Sequence, residues 1–480
     1  MAFNDLREFI AKAQEIGECR IVEGADRETD IGAISELEIE QPIPKLLLFD
    51  NIKGYPRGFR VASTVFSSDR RTALPLGLPE DARGTDLVRA YRDKLRAGIT
   101  PVPPVEVETG PVKENILTGD DVDLHKFPVP TWHELDGGPY IGTADCVIVK
   151  DPDEGWVNLG TYRVQVQSKT EATIRISPSH DGYLIAKKYW DRGLPCPTAV
   201  SCGQEPLLFA AANWRHVPWG VSEYDFTGGL GNKPVQVTKG VYTDLPVPAT
   251  AEIVLEGDLT PPEEGTYTEG PFGEWPGYYN GPFDDEPLLH VKAILHRNDP
   301  IIQGAPPSRF PQVWTLGGHL QKAATLWNEL DAQIPGVKSV RMVEDASAHT
   351  MVVISLKQEY QGQAKRAGLL AAGSTATSYC IRWIIVVDDD IDPYNTSEVL
   401  WALGTRCDPE TAVDIIKGTL GLSGVIWQSP EAKRIGLTAQ SAAIVLACKP
   451  AHWIDKFPPS VQSSPERLAQ ARAKWGHLYK

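Results

Sequence analysis

Two glutamates flank a tight turn in residues 269–274, which read EGPFGE. Glycine and proline restrict the backbone to a turn, and Phe272 and Trp275 supply apolar surface beside the two carboxyl groups. A carboxyl group shielded from water resists ionisation, so Glu269 and Glu274 are candidates for general acid–base chemistry near neutral pH. The same six residues also fit an ordinary turn with two solvated glutamates.

A second polar segment, WVNLGTYRVQVQ, begins at Trp156. Its second half alternates as a β-strand, with a polar face formed by Arg163, Gln165 and Gln167. Such a face predicts contact with a polar ligand or with water. Asn158 and Arg163 fall on opposite faces of an unbroken strand. If both serve one ligand, the strand must break at Gly160, because glycine permits a bulge or turn.

Three residues in separate segments form a plausible set of nitrogen and oxygen ligands for a divalent ion: Asn158, His180 and Glu223. Each also has an ordinary structural interpretation, as a turn asparagine, a surface histidine and a solvated glutamate. The chain contains no HExxH or CxxC pattern, so spacing alone does not establish a metal site.

These motifs, taken together, resemble the UbiD family of reversible decarboxylases. The resemblance rests on N-x-G-x-Y-R ending at Arg163, on the loosely matched histidine His180, on Glu223 before an aromatic residue, and on EGPFGE about a hundred residues later. Further matches are the segments YQGQAKR and IVVDDDIDP. They extend the resemblance over almost the whole chain.

The resemblance implies a prenylated flavin mononucleotide (prFMN) cofactor, a divalent ion, usually Mn²⁺, and often K⁺. It implies that Asn158, His180 and Glu223 hold Mn²⁺ beside the cofactor phosphate, and that the Trp156 carbonyl contacts K⁺. The residues that it places at the cofactor are Asn158, Thr161, Tyr162, Arg163, Arg175, Ile176, Ser177, Ser179, His180, Asp181 and Glu223.

The resemblance also assigns catalytic roles. Glu274 matches the proton donor, and Arg163 and Glu269 complete an acid–base trio in which Arg163 orients the substrate carboxylate. One position departs from the family pattern, because Ala376 stands where some members have a lysine for the cofactor phosphate. Lys365 or another cation must then help, or the ion carries the phosphate alone.

The implied substrate is an aromatic, heteroaromatic or α,β-unsaturated carboxylic acid. Candidates for the pocket wall are Trp314, His319 and Tyr379, since aromatic walls suit a flat ring. The expected partners are this acid, a flavin prenyltransferase as the source of the cofactor, and further copies of the chain in a dimer or hexamer. Trp475 on the end helix is a modest sign of subunit packing, although it also fits a contact within the chain.

Composition limits the function further. The formal net charge is -16, which disfavours nucleic acid because nucleic-acid binding needs a basic surface. The seven cysteines show no metal-binding spacing and are typical of a reducing compartment. The N-terminus lacks a basic region followed by an apolar core, and no apolar run approaches 18 residues. We therefore expect a cytoplasmic protein that does not contact a membrane.

The pattern of elements predicts an α/β (α+β) fold in three parts. Residues 1–110 form an N-terminal α/β segment. Residues 111–305 alternate largely with period two and form a β-rich domain, which the family resemblance makes a flavin-binding split β-barrel. Residues 306–480 alternate strands and helices and form a C-terminal α/β oligomerisation domain with an end helix.

Two other classes of protein remain open from the residues alone. A glycoside hydrolase also uses two carboxylates, here Glu269 and Glu274, and often stacks sugars on tryptophan, of which the chain has 13. A flavin-binding protein without catalysis would need no proton donor, so the intact EGPFGE segment argues against it.

Overall fold

The chain is a mixed α/β protein, as predicted, and its described residues form three larger sheets and two small ones together with helices. No helix in the described part of the chain is both long enough and apolar enough to span a bilayer. The computed structural model describes residues 3–214, 217–265, 267–309, 318–347, 349–377, 380–421, 427–429, 431–432 and 439–479.

The N-terminal part begins with a helix whose buried face packs Phe9 and Ile10 into the core. Asp5 caps this helix by accepting the Glu8 N–H. The elements of this part are α1 (Leu6–Glu15), β1 (Cys19–Glu23), α2 (Ile31–Ile39), β2 (Leu46–Asp50), β3 (Arg60–Ser63), α3 (Asp69–Leu76) and α4 (Gly84–Arg96).

The central part is dominated by a nine-stranded sheet that curls into a half-barrel. Its elements are β4 (Val105–Glu106), β5 (Asn115–Thr118), β6 (Tyr140–Gly142), β7 (Asp145–Lys150), β8 (Val157–Gly160), β9 (Arg163–Val166), β10 (Glu171–Arg175), α5 (Asp181–Trp190), β11 (Cys196–Cys202), α6 (Pro206–Ala212), α7 (Glu223–Gly231), β12 (Gln236–Lys239), β13 (Pro246–Pro248), β14 (Ile253–Thr260), β15 (Phe272–Glu274), β16 (Tyr278–Asn280), β17 (Leu288–His296) and β18 (Ile301–Gln303).

The strand order of the curled sheet is β6-β9-β10-β17-β14-β11-β7-β8, with β5 also paired to β17. Its inner surface is filled by apolar side chains such as Val147, Val164 and Leu255. Strand β18, which follows β17 in the chain, pairs in parallel with β3, so the N-terminal sheet has the order β1-β2-β3-β18. The N-terminal and central parts are therefore joined by backbone hydrogen bonds.

The C-terminal part is a five-stranded sheet of order β19-β20-β21-β23-β22 with helices packed against it. Asn395 caps α10 by accepting the Glu398 N–H. The elements are α8 (Gly318–Asp331), β19 (Val337–Met342), β20 (Met351–Leu356), α9 (Gln363–Gly373), β21 (Trp383–Asp388), α10 (Thr396–Arg406), α11 (Pro409–Ala412), β22 (Val413–Thr419), β23 (Gln440–Ala447) and α12 (Pro465–Trp475).

Candidate active site

The EGPFGE segment forms the first half of a β-hairpin made by β15 and β16. Glu269 enters this hairpin through a pair of backbone hydrogen bonds with Phe283, each 2.8 Å long. At the turn, the Trp275 ring meets the His349 ring of the C-terminal part edge-on, with 5.0 Å between the ring centroids. The hairpin is thus held both by the central sheet and by the C-terminal part.

Arg163, the first residue of β9, joins the two glutamates of the hairpin. Its guanidinium donates to both carboxylate oxygens of Glu269, from Nε and from Nη2, at 2.7 Å each. A third donor, Nη1, lies 3.0 Å from Glu274 Oε1. The three residues that sequence analysis placed together as an acid–base trio are therefore in direct contact in the structure.

The two glutamates differ in their access to solvent. The Glu269 side chain is fully buried, whereas 23% of the Glu274 side chain is exposed. Burial disfavours the charged form of Arg163, but Glu274 and Glu269 outweigh it and raise the pKa of the guanidinium. Arg163 is therefore a permanent cation that binds one enclosed and one accessible carboxyl group.

Two residues that sequence analysis did not assign to the site, Tyr140 and Gln165, contact Glu269 and the hairpin backbone. The Tyr140 hydroxyl donates to Glu269 Oε1 at 2.8 Å, and its ring packs on Phe272 with a centroid separation of 4.0 Å. Gln165 Oε1 accepts the Gly270 N–H at 3.0 Å and lies 3.3 Å from the Tyr140 hydroxyl. Burial, followed by Glu269, raises the pKa of Tyr140, so the phenol stays a donor.

We call Arg163, Glu269, Glu274 and Tyr140 the acid–base cluster. The polar face of β9 was the sequence signal that pointed to Gln165, but its partner is the hairpin backbone and not a ligand or solvent. Tyr140 gave no signal of its own, because it lies in a separate strand whose pairing with β9 sets its position.

Arg175, assigned to the cofactor by resemblance, lies opposite Arg163 in the register of β10 with β9. Its guanidinium pairs with Glu286, a buried carboxyl group, and lies over the Phe283 ring at 4.0 Å. Burial raises the pKa of Glu286 to about 7, against the opposing effect of Arg175. A second Arg–Glu pair thus stands beside the acid–base cluster.

The second group of candidates, Asn158, His180 and Glu223, is here called the cation cluster. Asn158 Nδ2 donates to Glu223 Oε1 at 3.1 Å, and the Leu159 N–H donates to Glu223 Oε2 at 2.7 Å. Asn158 Oδ1 is buried and has no hydrogen-bond partner among the residues that the structure describes. Burial raises the pKa of Glu223 to about 8.

The donor set of the cation cluster fits a divalent ion. An orphaned amide oxygen, a buried carboxyl group and an imidazole are oxygen and nitrogen ligands of the kind that Mn²⁺ takes. Across the described ranges, no three His, Cys, Asp or Glu side chains gather into a metal-binding group. The cation cluster contains two side chains of these types, His180 and Glu223, and its third member is Asn158.

The break between β8 and β9 begins at a glycine that permits a close contact with the Tyr162 side chain. β8 ends at Gly160, and a Cβ atom there would lie 2.5 Å from the Tyr162 hydroxyl oxygen. The Tyr162 ring stacks on the His180 ring with 5.5 Å between centroids, and His180 begins α5 as its N-cap residue. The predicted break at Gly160 thus lets the tyrosine turn toward His180.

The other predicted site residues have these positions. The Trp156 carbonyl accepts the Asp151 N–H at 2.9 Å, and Thr161 Oγ1 donates to the Asp145 carbonyl at 3.0 Å. The Lys365 ammonium pairs with Asp414, and His319 Nε2 lies 3.7 Å from Glu344 Oε1.

Of the remaining candidates, Ile176 is buried in the core of the half-barrel, and the Ser177 carbonyl accepts the His180 N–H at 3.0 Å. Asp181 begins α5, where burial raises the pKa of its carboxyl group. Ser179 lies in the loop before that helix, and Trp314 and Tyr379 lie outside the described residues.

Comparison with known proteins identifies the family of the chain. Three domain models match the chain: the N-terminal domain of 3-octaprenyl-4-hydroxybenzoate carboxy-lyase over residues 10–91, its Rift-related domain over 104–310, and its C-terminal domain over 315–438. The chain is 33% identical to the phenolic acid decarboxylase of Bacillus subtilis, with 87% of each chain covered.

A second relative is the pyrrole-2-carboxylic acid decarboxylase of Pseudomonas aeruginosa, at 35% identity over 84% of this chain and 83% of the relative. Among solved structures, the UbiD-class enzyme HmfF of Pelotomaculum thermopropionicum in complex with FMN is 28% identical. It superposes with a TM-score of 0.85 and covers 98% of this chain and 100% of HmfF.

An evolved dimeric form of HmfF in complex with prFMN superposes with a TM-score of 0.81, at the same identity and coverage. The chain belongs to the UbiD family of carboxy-lyases.

Proposed function

We propose that this protein catalyses the reversible, non-oxidative decarboxylation of an aromatic, heteroaromatic or α,β-unsaturated carboxylic acid, with prFMN and Mn²⁺ as cofactors. The observation that carries the proposal is the bridge that Arg163 makes between Glu269 and Glu274. It places a fixed cation and an accessible carboxyl group at one point, as removal of CO₂ and delivery of a proton require.

Arg163 is suited to orient a substrate carboxylate. A guanidinium has five N–H groups, and three of them bind glutamate oxygens within the described part of the chain. The other two are left for a planar anion such as a carboxylate. The rings of Phe272 and Phe283 lie 5.6 and 5.7 Å from the guanidinium carbon and limit the access of water to it.

Glu274 is suited to deliver the proton. It is the accessible member of the pair, while Glu269 is enclosed by Arg163 and Tyr140 and accepts three hydrogen bonds. Glu269 is held on both carboxylate oxygens by these donors, so we assign the proton transfer to the accessible Glu274. When bound, prFMN supplies the electron sink that loss of CO₂ from an unsaturated carbon requires.

The cation cluster is proposed to hold Mn²⁺ beside the cofactor phosphate, through Asn158 Oδ1, His180 and the Glu223 carboxylate. The ion would offset phosphate charge in a strongly acidic chain. Thr161, Tyr162 and the segment before α5 are proposed to contact the flavin, with the Trp156 carbonyl near K⁺. Lys365 is a weak candidate for the phosphate because its ammonium pairs with Asp414.

The substrate class is supported by the relatives, one named for phenolic acids and one for pyrrole-2-carboxylic acid. We propose a conjugated acid with the pocket wall near His319, Trp314 and Tyr379. A flavin prenyltransferase would supply the cofactor, and we propose a cytoplasmic homo-oligomer, a dimer or a hexamer.

The two other classes fit the site less well. A glycoside hydrolase needs both carboxyl groups to face the sugar across the bond that is cut. Glu269 has no exposed surface and is bound by Arg163 and Tyr140, so it is closed to a sugar. A flavin-binding protein without catalysis gives no reason for an accessible carboxyl group on Arg163.

The test is production of the chain together with a flavin prenyltransferase, followed by an absorbance spectrum, metal analysis and a substrate panel. The panel contains hydroxybenzoates, cinnamates, five-membered heteroaromatic acids and matched saturated acids. We expect a coloured protein with about one Mn²⁺ per chain that releases CO₂ from conjugated acids alone. A colourless, metal-free protein, or turnover of saturated acids only, would contradict the proposal.

A further inference from the structure

A loop formed by residues 132–138 packs against the turn of the catalytic hairpin. The Gly137 N–H donates to the Pro271 carbonyl at 2.8 Å, and a Cβ atom on Gly137 would lie 2.0 Å from the Gly270 carbonyl oxygen. The Leu135 N–H donates to the Tyr279 hydroxyl at 3.4 Å. This loop therefore touches the backbone that positions Glu269.

The loop carries a buried carboxyl group, Asp136, whose side chain has no exposed surface. Its Oδ2 accepts the His133 N–H at 2.8 Å, and its Oδ1 has no hydrogen-bond partner in the part of the chain that the structure describes. Burial raises the pKa of Asp136 to about 6, against the opposing effects of the His133 N–H, the His133 ring and Arg163.

The ionisable groups around Asp136 come from its own loop and from three strands. His133 lies in the same loop, and Arg163 and Tyr140 belong to the acid–base cluster on β9 and β6. Tyr279 approaches from β16, and its own pKa is raised by burial and then by Asp136. Asp136 thus interacts electrostatically with the acid–base cluster without a direct hydrogen bond to it.

His133 links this buried carboxyl group to solvent. Its Nδ1 lies 3.8 Å from Asp136 Oδ2, and its Nε2 lies 3.1 Å from Glu36 Oε1. The Glu36 side chain is 51% exposed. Both residues line a cleft of ≈490 Å³ between α2 and the hairpin, which is also lined by Glu134, Gly273, Tyr278 and Ser308. The cleft is large enough to hold several water molecules.

We propose that Glu36, His133 and Asp136 relay protons from this cleft to the acid–base cluster. The inference rests on the proposed decarboxylation. In each turnover the bond from carbon to CO₂ breaks, a C–H bond forms with the proton of Glu274, and Glu274 is left as a carboxylate. Glu274 must therefore regain a proton before the next turnover.

The relay restores that proton without any change of oxidation state. Asp136 gives its carboxyl proton to the Glu274 carboxylate, the protonated His133 ring returns one to Asp136, and water in the cleft, held near Glu36, returns one to His133. The net reaction is R–CO₂⁻ + H⁺ → R–H + CO₂. The proton of each turnover thus comes from solvent in the cleft behind the hairpin.

The test uses the holoenzyme and two variants, His133→Ala and Asp136→Asn. His133→Ala removes the imidazole at the edge of the cleft and leaves space for a free imidazole molecule. We expect kcat to fall on the order of tenfold in each variant, with KM and cofactor content retained. Added imidazole should restore kcat of His133→Ala in a saturable way that follows the protonated fraction of imidazole, and it should not restore Asp136→Asn.

A matched control is His290→Ala, which removes a different partly exposed histidine that lies 3.3 Å from Glu171. Its kcat should equal that of the wild type with or without imidazole. The relay is wrong if His133→Ala keeps wild-type kcat, or if its kcat is low and imidazole has no effect on it. Either result would overturn the relay while the proposed decarboxylation by the wild-type holoenzyme still stands. An inactive wild-type holoenzyme would instead overturn the proposed function together with the relay.

Discussion

The acid–base cluster and the cation cluster take one residue each from consecutive strands, Arg163 on β9 and Asn158 on β8, but satisfy their polar atoms in opposite ways. In the acid–base cluster, Arg163 binds both glutamates, and Tyr140 adds a further donor to Glu269. In the cation cluster, Asn158 Oδ1 has no partner among the described residues, and burial raises the pKa of Glu223 to about 8. The first cluster pairs its charged groups within the chain, whereas the second leaves an oxygen that the proposed Mn²⁺ would bind.

The two clusters therefore contribute in different ways to the proposed function. A cluster that is already paired holds its catalytic groups in place before substrate arrives, which avoids reorganisation during the reaction. A cluster with an unsatisfied oxygen and a buried acid gains its stability when a ligand binds. Substitutions in the two clusters should therefore affect different measurements.

The largest effect is expected for Arg163→Gln. Loss of the guanidinium leaves two glutamates facing each other, one of them fully buried, so we expect the free energy of unfolding to fall by about 3 to 5 kcal/mol. Chemical denaturation of the cofactor-free chain measures this change. Arg57→Gln, which removes an exposed pair with Glu23, is the control and should cost less than about 1 kcal/mol. Equal costs for the two variants would refute the central role of Arg163.

The next effect is expected for Glu274→Gln, which keeps the shape of the side chain but has no proton to give. Turnover should fall by about 10²-fold or more, while cofactor content and substrate binding are retained. The free energy of unfolding should change far less than in Arg163→Gln, because the Glu269–Arg163 pair remains. Steady-state kinetics and denaturation of one preparation give both values. A loss of stability as large as that of Arg163→Gln would contradict the assignment of Glu274 to turnover and of Arg163 to stability.

A different result is expected for Glu223→Ala in the cation cluster. The cofactor-free chain loses two hydrogen bonds, so unfolding should become easier by only about 1 to 2 kcal/mol. The Mn²⁺ content should fall from about one per chain to near zero, with less bound flavin. Asp225→Ala, in the same first turn of α7, is the control and should keep its metal. Full Mn²⁺ and flavin in Glu223→Ala would show that the ion binds elsewhere.

The smallest effect is expected for Tyr140→Phe. The ring still packs on Phe272, and only the donor to Glu269 is lost, so kcat should fall by about fivefold, equivalent to about 1 kcal/mol. Tyr242→Phe, which removes a tyrosine hydroxyl that donates to Asp258, is the control and should leave kcat unchanged. An unchanged kcat in Tyr140→Phe would remove Tyr140 from the acid–base cluster.

Sequence analysis predicted the parts of this site that depend on local patterns. The turn around EGPFGE and the break of the strand after Gly160 follow from glycine and proline, whose conformational limits act locally.

The parts that could not be predicted depend on contacts between distant segments. Tyr140 reaches Glu269 only because β6 pairs with β9, and Arg175 meets Glu286 because β10 pairs with β17. Gln165 was recognised as an unusual polar residue, but its partner is a backbone N–H more than a hundred residues later. Pairing and register of this kind are set by the whole sheet, so no single segment encodes them.

The central claim is that Glu274 transfers the proton at the carbon that loses CO₂. The most direct measurement is exchange of solvent deuterium into the decarboxylated product, followed by NMR with the wild-type holoenzyme and with Glu274→Gln at equal cofactor content. The wild type should place deuterium at the ring or vinyl position, and Glu274→Gln should lose this exchange. Exchange at near the wild-type rate in Glu274→Gln would contradict the claim and move the role to Glu269 or to water.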